Sequence, residues 1–140
     1  MTMTVEEIAR RWQESKSDRD AQMTLYAEDA VYTSGGPARG SRYEGKAAIR
    51  GAGERAMTKV FEVDAAQSRS EAIVAKDHFF MLFDIKGKSR ITGCPYANKL
   101  LFVFAVKDGK IVHQHEYLDT LASARACGDL PYPDEAAAKK

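Results

Sequence analysis

Apolar and polar positions alternate most regularly across residues 98–119, where NKLLFVFAV and IVHQHEYLD flank Lys107-Asp108-Gly109-Lys110. A period of two is a strand signal. Asp-Gly between two such runs predicts a hairpin, because both residues tolerate positive φ. Leu100, Phe102, Phe104 and Val106 share one face of the first strand, and Val112, Gln114, Glu116 and Leu118 share one face of the second. Two turns fit. A two-residue loop pairs Lys107 with Lys110 and sets Glu116 opposite Leu101. A three-residue loop with Gly109 left-handed pairs Val106 with Lys110 and sets Glu116 opposite Leu100. A slip of one residue exchanges the faces. The three-residue loop is favoured, since it gathers Phe102, Phe104, Val112 and Leu118.

Toward the N-terminus the period changes to that of a helix. Thr4-Val5-Glu6-Glu7 is a capping box, and Val5, Ile8, Ala9 and Trp12 follow at i, i+3, i+4 and i+7. Ser17–Asp20 opens a second helix that takes in Ala21 and Leu25 and ends near Glu28. Asp29–Ser34 alternates and is rich in strand formers. Gly35–Gly45 holds four glycines, a proline and two arginines, and reads as a connecting loop with the makings of a lid. Ile49, Ala52, Ala56 and Val60 restore a helical stripe from Lys46 onward. Phe61–Ser68 is a weak strand; Ala72–Ala75 and His78–Ile85 are better ones, joined at Lys76-Asp77. In the latter, Phe79, Met81, Phe83 and Ile85 form one face, with His78 and Asp84 at the margins of the other. Gly87 and Gly93-Cys94-Pro95 mark turns. A short helix over Leu121–Ala126 precedes Pro131-Tyr132-Pro133 and an extended tail. The order predicts an α+β fold, with helices packed on one face of a curved sheet around a pocket.

The bulk numbers narrow the classes. A chain of 140 residues suits a single domain. The net charge of +1, spread evenly, gives no footprint for nucleic acid or an anionic membrane. Cys94 and Cys127 match no metal-ligand spacing. They read as reduced thiols of a cytoplasmic protein, with a disulfide between them left open. There is no bilayer-length apolar run and no signal-peptide pattern.

The chemistry concentrates on Glu116. A carboxyl among Phe102, Phe104 and Leu118 would be raised in pKa by desolvation and suited to general acid–base work. The other reading puts it on a solvated face or in a pair with a lysine or arginine. Tyr32, Asn98 and Gln114 are candidates to hydrogen-bond a carbonyl or hydroxyl. His113 and His115 share the opposite strand face with Tyr117.

Several short motifs together resemble the nuclear transport factor 2-like superfamily, and within it the SnoaL-like branch. They are Leu25-Tyr26-Ala27-Glu28-Asp29-Ala30-Val31, Gly45-Lys46-Ala47-Ala48-Ile49-Arg50, Asp108-Gly109-Lys110-Ile111 and Glu116-Tyr117-Leu118-Asp119. The resemblance runs from Val5 to about Pro133. It implies a cystatin-like cone, with three N-terminal helices on a curved mixed or antiparallel sheet and an internal cavity. Against ketosteroid isomerases, the base aspartate falls at Ser34, the oxyanion-hole aspartate near Leu100 and the helix-one tyrosine near Arg11 or Trp12. Against limonene epoxide hydrolases, the last-strand aspartate falls at Glu116. Local resemblance to the phenazine-biosynthesis A/B family rests on His78-Phe79-Phe80, Asp84, Gly87-Lys88, Asn98, Phe104, Asp108-Gly109 and Glu116-Tyr117. There a glutamate at the position of Glu116 is a general acid, while the family's histidine and serine fall near Ala52 and Ala56.

The resemblance thus implies a cofactor-independent isomerase, cyclase, dehydratase or hydratase of secondary metabolism. Glu116 would be catalytic. Trp12, Tyr32, Ser34, Phe79, Met81, Phe83, Asn98, Phe102, Gln114 and Leu118 would bind a mostly apolar substrate. No metal is implied. A homodimer is expected through Leu101, Val103, His113, His115 and Tyr117. The alternative is a dimer of the same fold that binds a hydrophobic ligand or partner without turnover.

Overall fold

The computed structural model describes residues 2–35 and 42–131. Helix α1 (Val5–Glu14) starts at Thr4, whose hydroxyl accepts from the Glu7 amide at 3.2 Å, and it buries Ile8, Ala9 and Trp12. Helix α2 (Arg19–Met23) is shorter than the sequence suggested, because Tyr26 is drawn into a sheet. Strand β1 (Tyr26–Ser34) therefore begins three residues before Asp29. The cause is tertiary: Tyr26 pairs with Ile111 on a distant strand. Much of the expected Gly35–Gly45 loop, and with it the lid, lies outside the described residues. Its end, Arg42–Glu44, is a short strand, β2, antiparallel to β1.

Helix α3 (Lys46–Arg55) buries Ile49 and Ala52 and runs into a π-helical turn over Ala56–Val60. Strands β3 (Phe61–Val63), β4 (Arg69–Val74), β5 (His78–Ser89), β6 (Pro95–Lys107) and β7 (Lys110–Tyr117) follow, then helix α4 (Thr120–Ala126). Asp119 caps α4 by accepting from the Leu121 and Ala122 amides. Gly87 does not turn the chain. It lies inside β5, facing Val63 on one side and Tyr96 on the other. The sheet order is β2-β1-β7-β6-β5-β3, with β4 also paired to β5. Only β1 and β7 pair in parallel among these strands, so the sheet is mixed and, with the helices, gives the expected α+β architecture.

The β6–β7 turn corrects the favoured register. Asp108 and Gly109 have φ of 51° and 72°, and Lys107 pairs with Lys110, so the loop is the two-residue form. The ladder then shifts between Ala105 and Val106, which leaves Val112 as the extra residue of a β-bulge. Glu116 consequently faces Phe102, rather than Leu100 or Leu101. The bulge returns Gln114 and Glu116 to the face of Phe104 and Phe102, and it seats Ile111 in the core instead of Val112.

The core fills one end of the curled sheet. Phe79 stacks on Phe104 at 4.3 Å, and both are fully buried with Ile8, Met81 and Ile111. Each such side chain contributes about 1.5–3 kcal/mol through burial. Trp12 leans on the edge of this cluster, 5.0 Å from Phe104 and 6.0 Å from Phe102. Farther along the same strand faces the sheet borders a cavity.

Candidate active site

The cavity has a volume of about 560 Å³. Its walls carry aromatic rings from many elements: Trp12 from α1, Tyr26 and Tyr32 from β1, Tyr43 from β2, Phe61 from β3, Phe83 from β5, and Tyr96 and Phe102 from β6. A second depression, about 620 Å³ over β3 and β5, is more open and lined by charges such as Lys88 and Glu62, which pair at 3.6 Å. Of these two, the aromatic cavity is the one lined by a largely buried carboxyl, Glu116.

Eight of the residues proposed from the sequence meet on its wall: Trp12, Tyr32, Ser34, Phe83, Phe102, Gln114, Glu116 and Leu118. Three do not. Phe79 and Met81 have the right face but the wrong depth, because α1 covers them and they belong to the solid core. Asn98 faces inward too, but its side chain is fully engaged. Its amide donates to the Tyr96 hydroxyl at 2.8 Å and to the Asp119 carbonyl at 3.1 Å, and its oxygen accepts from the Asp119 amide at 3.0 Å. Asn98 is thus a clamp on the junction of β7 and α4. Asn98→Ala should cost about 2–3 kcal/mol of stability, read by urea denaturation, because it removes three hydrogen bonds, one of them to the buried Tyr96 hydroxyl.

Glu116 is placed by the parallel pairing of β1 and β7, which sets Ser34 directly opposite it. The Ser34 hydroxyl donates to Glu116 Oε1 at 2.8 Å, and the Tyr32 hydroxyl is near enough to act on the carboxyl's charge. Burial pushes the Glu116 pKa above its ordinary value, and the Ser34 and Tyr32 hydroxyls pull it part of the way back. Burial also raises the Tyr32 phenol, and the neighbouring carboxylate raises it further. Among the described residues no lysine or arginine pairs with Glu116: Lys99 reaches Asp84 and Arg11 reaches Glu7. A carboxyl whose pKa is raised in this way can both give and take a proton.

Two residues along β7, a buried relay fixes the direction of Gln114. The Trp12 indole can only donate, and it donates to the Tyr26 hydroxyl at 2.9 Å. Tyr26 therefore passes its own proton on, to Gln114 Oε1 at 2.6 Å. That leaves the Gln114 amide NH₂ as a donor on the cavity wall, on the face that carries Glu116. Tyr26 was hidden by the helical reading of Leu25–Glu28. Tyr96 was missed too, though its even position beside Asn98, Leu100 and Phe102 carries the signal once β6 is extended to Pro95. His113 and His115 lie on the other sheet face, bridged by the Thr33 hydroxyl. Cys94 and Cys127 are not joined in a disulfide. Among the described residues no three His, Cys, Asp or Glu side chains are placed to hold a metal ion, and no helix is long and apolar enough to cross a membrane.

An α+β cone with a packed end and a cavity carrying a few convergent polar groups defines the nuclear transport factor 2-like, or cystatin-like, class. Within it the chain belongs to the SnoaL-like domain family, whose profile matches residues 5–114. Among solved structures it is similar to an NTF2-like protein from Burkholderia xenovorans LB400, with 21% identity, a TM-score of 0.76 and coverage of 90% of this chain and 98% of the other. A candidate isomerase from Bacillus subtilis has 24% identity and a TM-score of 0.74, covering 91% and 98%. A candidate SnoaL-like polyketide cyclase from Mesorhizobium loti has 24% identity and a TM-score of 0.72, covering 82% and 99%. At these identities the likeness is one of fold. No curated protein sequence matches the chain significantly.

Proposed function

We propose that this protein is a cofactor-independent isomerase, cyclase or lyase-type enzyme of secondary metabolism that acts on a largely apolar substrate, with Glu116 as general acid and base. One observation carries the reading: a desolvated carboxyl stands on an aromatic cavity wall, held by the Ser34 hydroxyl rather than by a cation. The carboxylate takes a proton from a carbon beside a carbonyl. The bonding pair moves onto the carbonyl oxygen, where the Gln114 amide donates. The protonated Glu116 then returns the proton to another carbon, or to a departing hydroxyl. The proton is conserved and no electrons leave the substrate. Isomerase and cyclase names among structures of the same fold support this reaction class without selecting within it.

The test is a carboxyl-carbon NMR titration of the wild type against Glu116→Gln. A Glu116 value well above about 4.3, the ordinary figure for glutamate, is expected. Enones, epoxides and polyketide-like ketones are then screened for turnover that the variant loses. A value at or below the ordinary figure removes the general-acid role. A second reading, a binding protein without turnover, draws on the Ser34 bond, which already satisfies one oxygen of Glu116 and fits it as a fixed anchor. Saturable ligand binding with no turnover across the screen favours it. In either case the outer face of the sheet suits a homodimer contact, since Leu82, Leu101 and Tyr117 stand in one cross-strand row and Phe80, Val103 and His115 in the next.

A further inference from the structure

The charges around the cavity point to the kind of ligand it takes. Lys16, Arg19, Arg55 and Arg69 line it, against the carboxyls of Glu116 and Asp129. Of these cations, Arg19 is the half-buried one; the other three are exposed. Its guanidinium donates to Gln22 Oε1 at 2.8 Å. No aspartate or glutamate among the described residues lies within ion-pairing distance of it, and Glu54 on α3 acts on it only through space. Gly53 on α3 provides the room, because a Cβ there would stand 2.7 Å from an Arg19 guanidinium nitrogen. A cation withdrawn from water is ordinarily paired, since its desolvation is otherwise uncompensated. Here the missing counter-charge faces a cavity of ligand size.

We propose that the cavity binds a carboxylate-bearing ligand, its anionic end docked on Arg19 and its apolar body lying among Trp12, Phe83 and Phe102. The assignment rests on the cavity being the ligand site, as in the proposed function, and names the class of that ligand. One half-buried guanidinium balances one negative charge and offers a carboxylate two parallel donors.

Trp12, the single tryptophan of the chain, lines the cavity, so its fluorescence reports occupancy. The probes are a panel of aliphatic and aryl-substituted carboxylic acids, each titrated beside its neutral primary amide. In the wild type at least one acid should bind about tenfold tighter than its amide, the size of a charge-assisted hydrogen-bond pair. Arg19→Gln should bring acid and amide to about equal affinity, and Arg19→Lys should keep part of the preference. Gly53→Ala should melt no lower than the wild type, because alanine favours the helix and the displaced atom is the end of a flexible side chain. Its Cβ should nonetheless erase the preference for the acid. A panel with no acid preferred over its amide, or a preference that survives Arg19→Gln, overturns the assignment. Arg19-dependent selectivity without turnover leaves it standing while the catalytic reading falls. Turnover lost in Glu116→Gln with no preference for acids does the reverse.

Discussion

Glu116→Gln is expected to lower turnover by about 10²–10⁴-fold, the usual contribution of a positioned acid–base group. Glutamine keeps the shape and still accepts from the Ser34 hydroxyl, so the loss reads the proton and not the packing. The same variant carries a stability signature that needs no substrate. The folded protein holds the Glu116 proton more tightly than the unfolded chain, because burial raises its pKa. That stabilisation is complete below the unfolded value of about 4.3 and is lost as pH rises through the raised folded value. The difference in stability between wild type and variant should fall across that window and level off above it, as measured by urea denaturation at a series of pH values. A flat difference would mean a solvated carboxyl and would remove both expectations.

Gly87→Ala should cost about 2–4 kcal/mol, at the upper end of overpacking effects. The added Cβ would stand 1.8 Å from the Glu62 carbonyl oxygen and 2.9 Å from its carbon. These are backbone atoms of β3 and cannot rotate away. The pairs Phe61–Ser89, Glu62–Lys88 and Val63–Gly87 must therefore move as a unit. Phe61 and Val63 line the cavity, and Phe61 stacks on Tyr96 at 4.6 Å, so ligand affinity should fall along with stability. A wild-type urea midpoint in this variant would contradict the close approach of β3 to β5.

Much of the fold was legible because its signals are local. The Thr4 cap, the Ile8–Trp12 stripe, the alternation of Phe79 to Ile85 and the Asp108-Gly109 turn each follow from a few neighbouring residues, and each formed where expected. The misreadings share a cause. Tyr26 reads as helix because its partner, Ile111, lies far along the chain. Gly87 reads as a turn because only the Glu62 backbone shows why a side chain is excluded there.

The candidate site divides in the same way. The sequence by itself determined which residues share a side of one strand: Gln114 with Glu116 on β7, Phe102 with Phe104 on β6, and Phe79, Met81 and Phe83 on β5, since strand periodicity needs no partner. Tertiary structure decided the rest. The bulge at Val112 set Glu116 beside Phe102. Parallel pairing brought Ser34 to its carboxyl. The cover of α1 placed Phe79 and Met81 in the core while Phe83 borders the cavity. Depth along a strand, register across a bulge and the partner of a buried charge all depend on residues remote in sequence. Alternation fixes the side on which a residue lies; packing between distant segments fixes what it meets there.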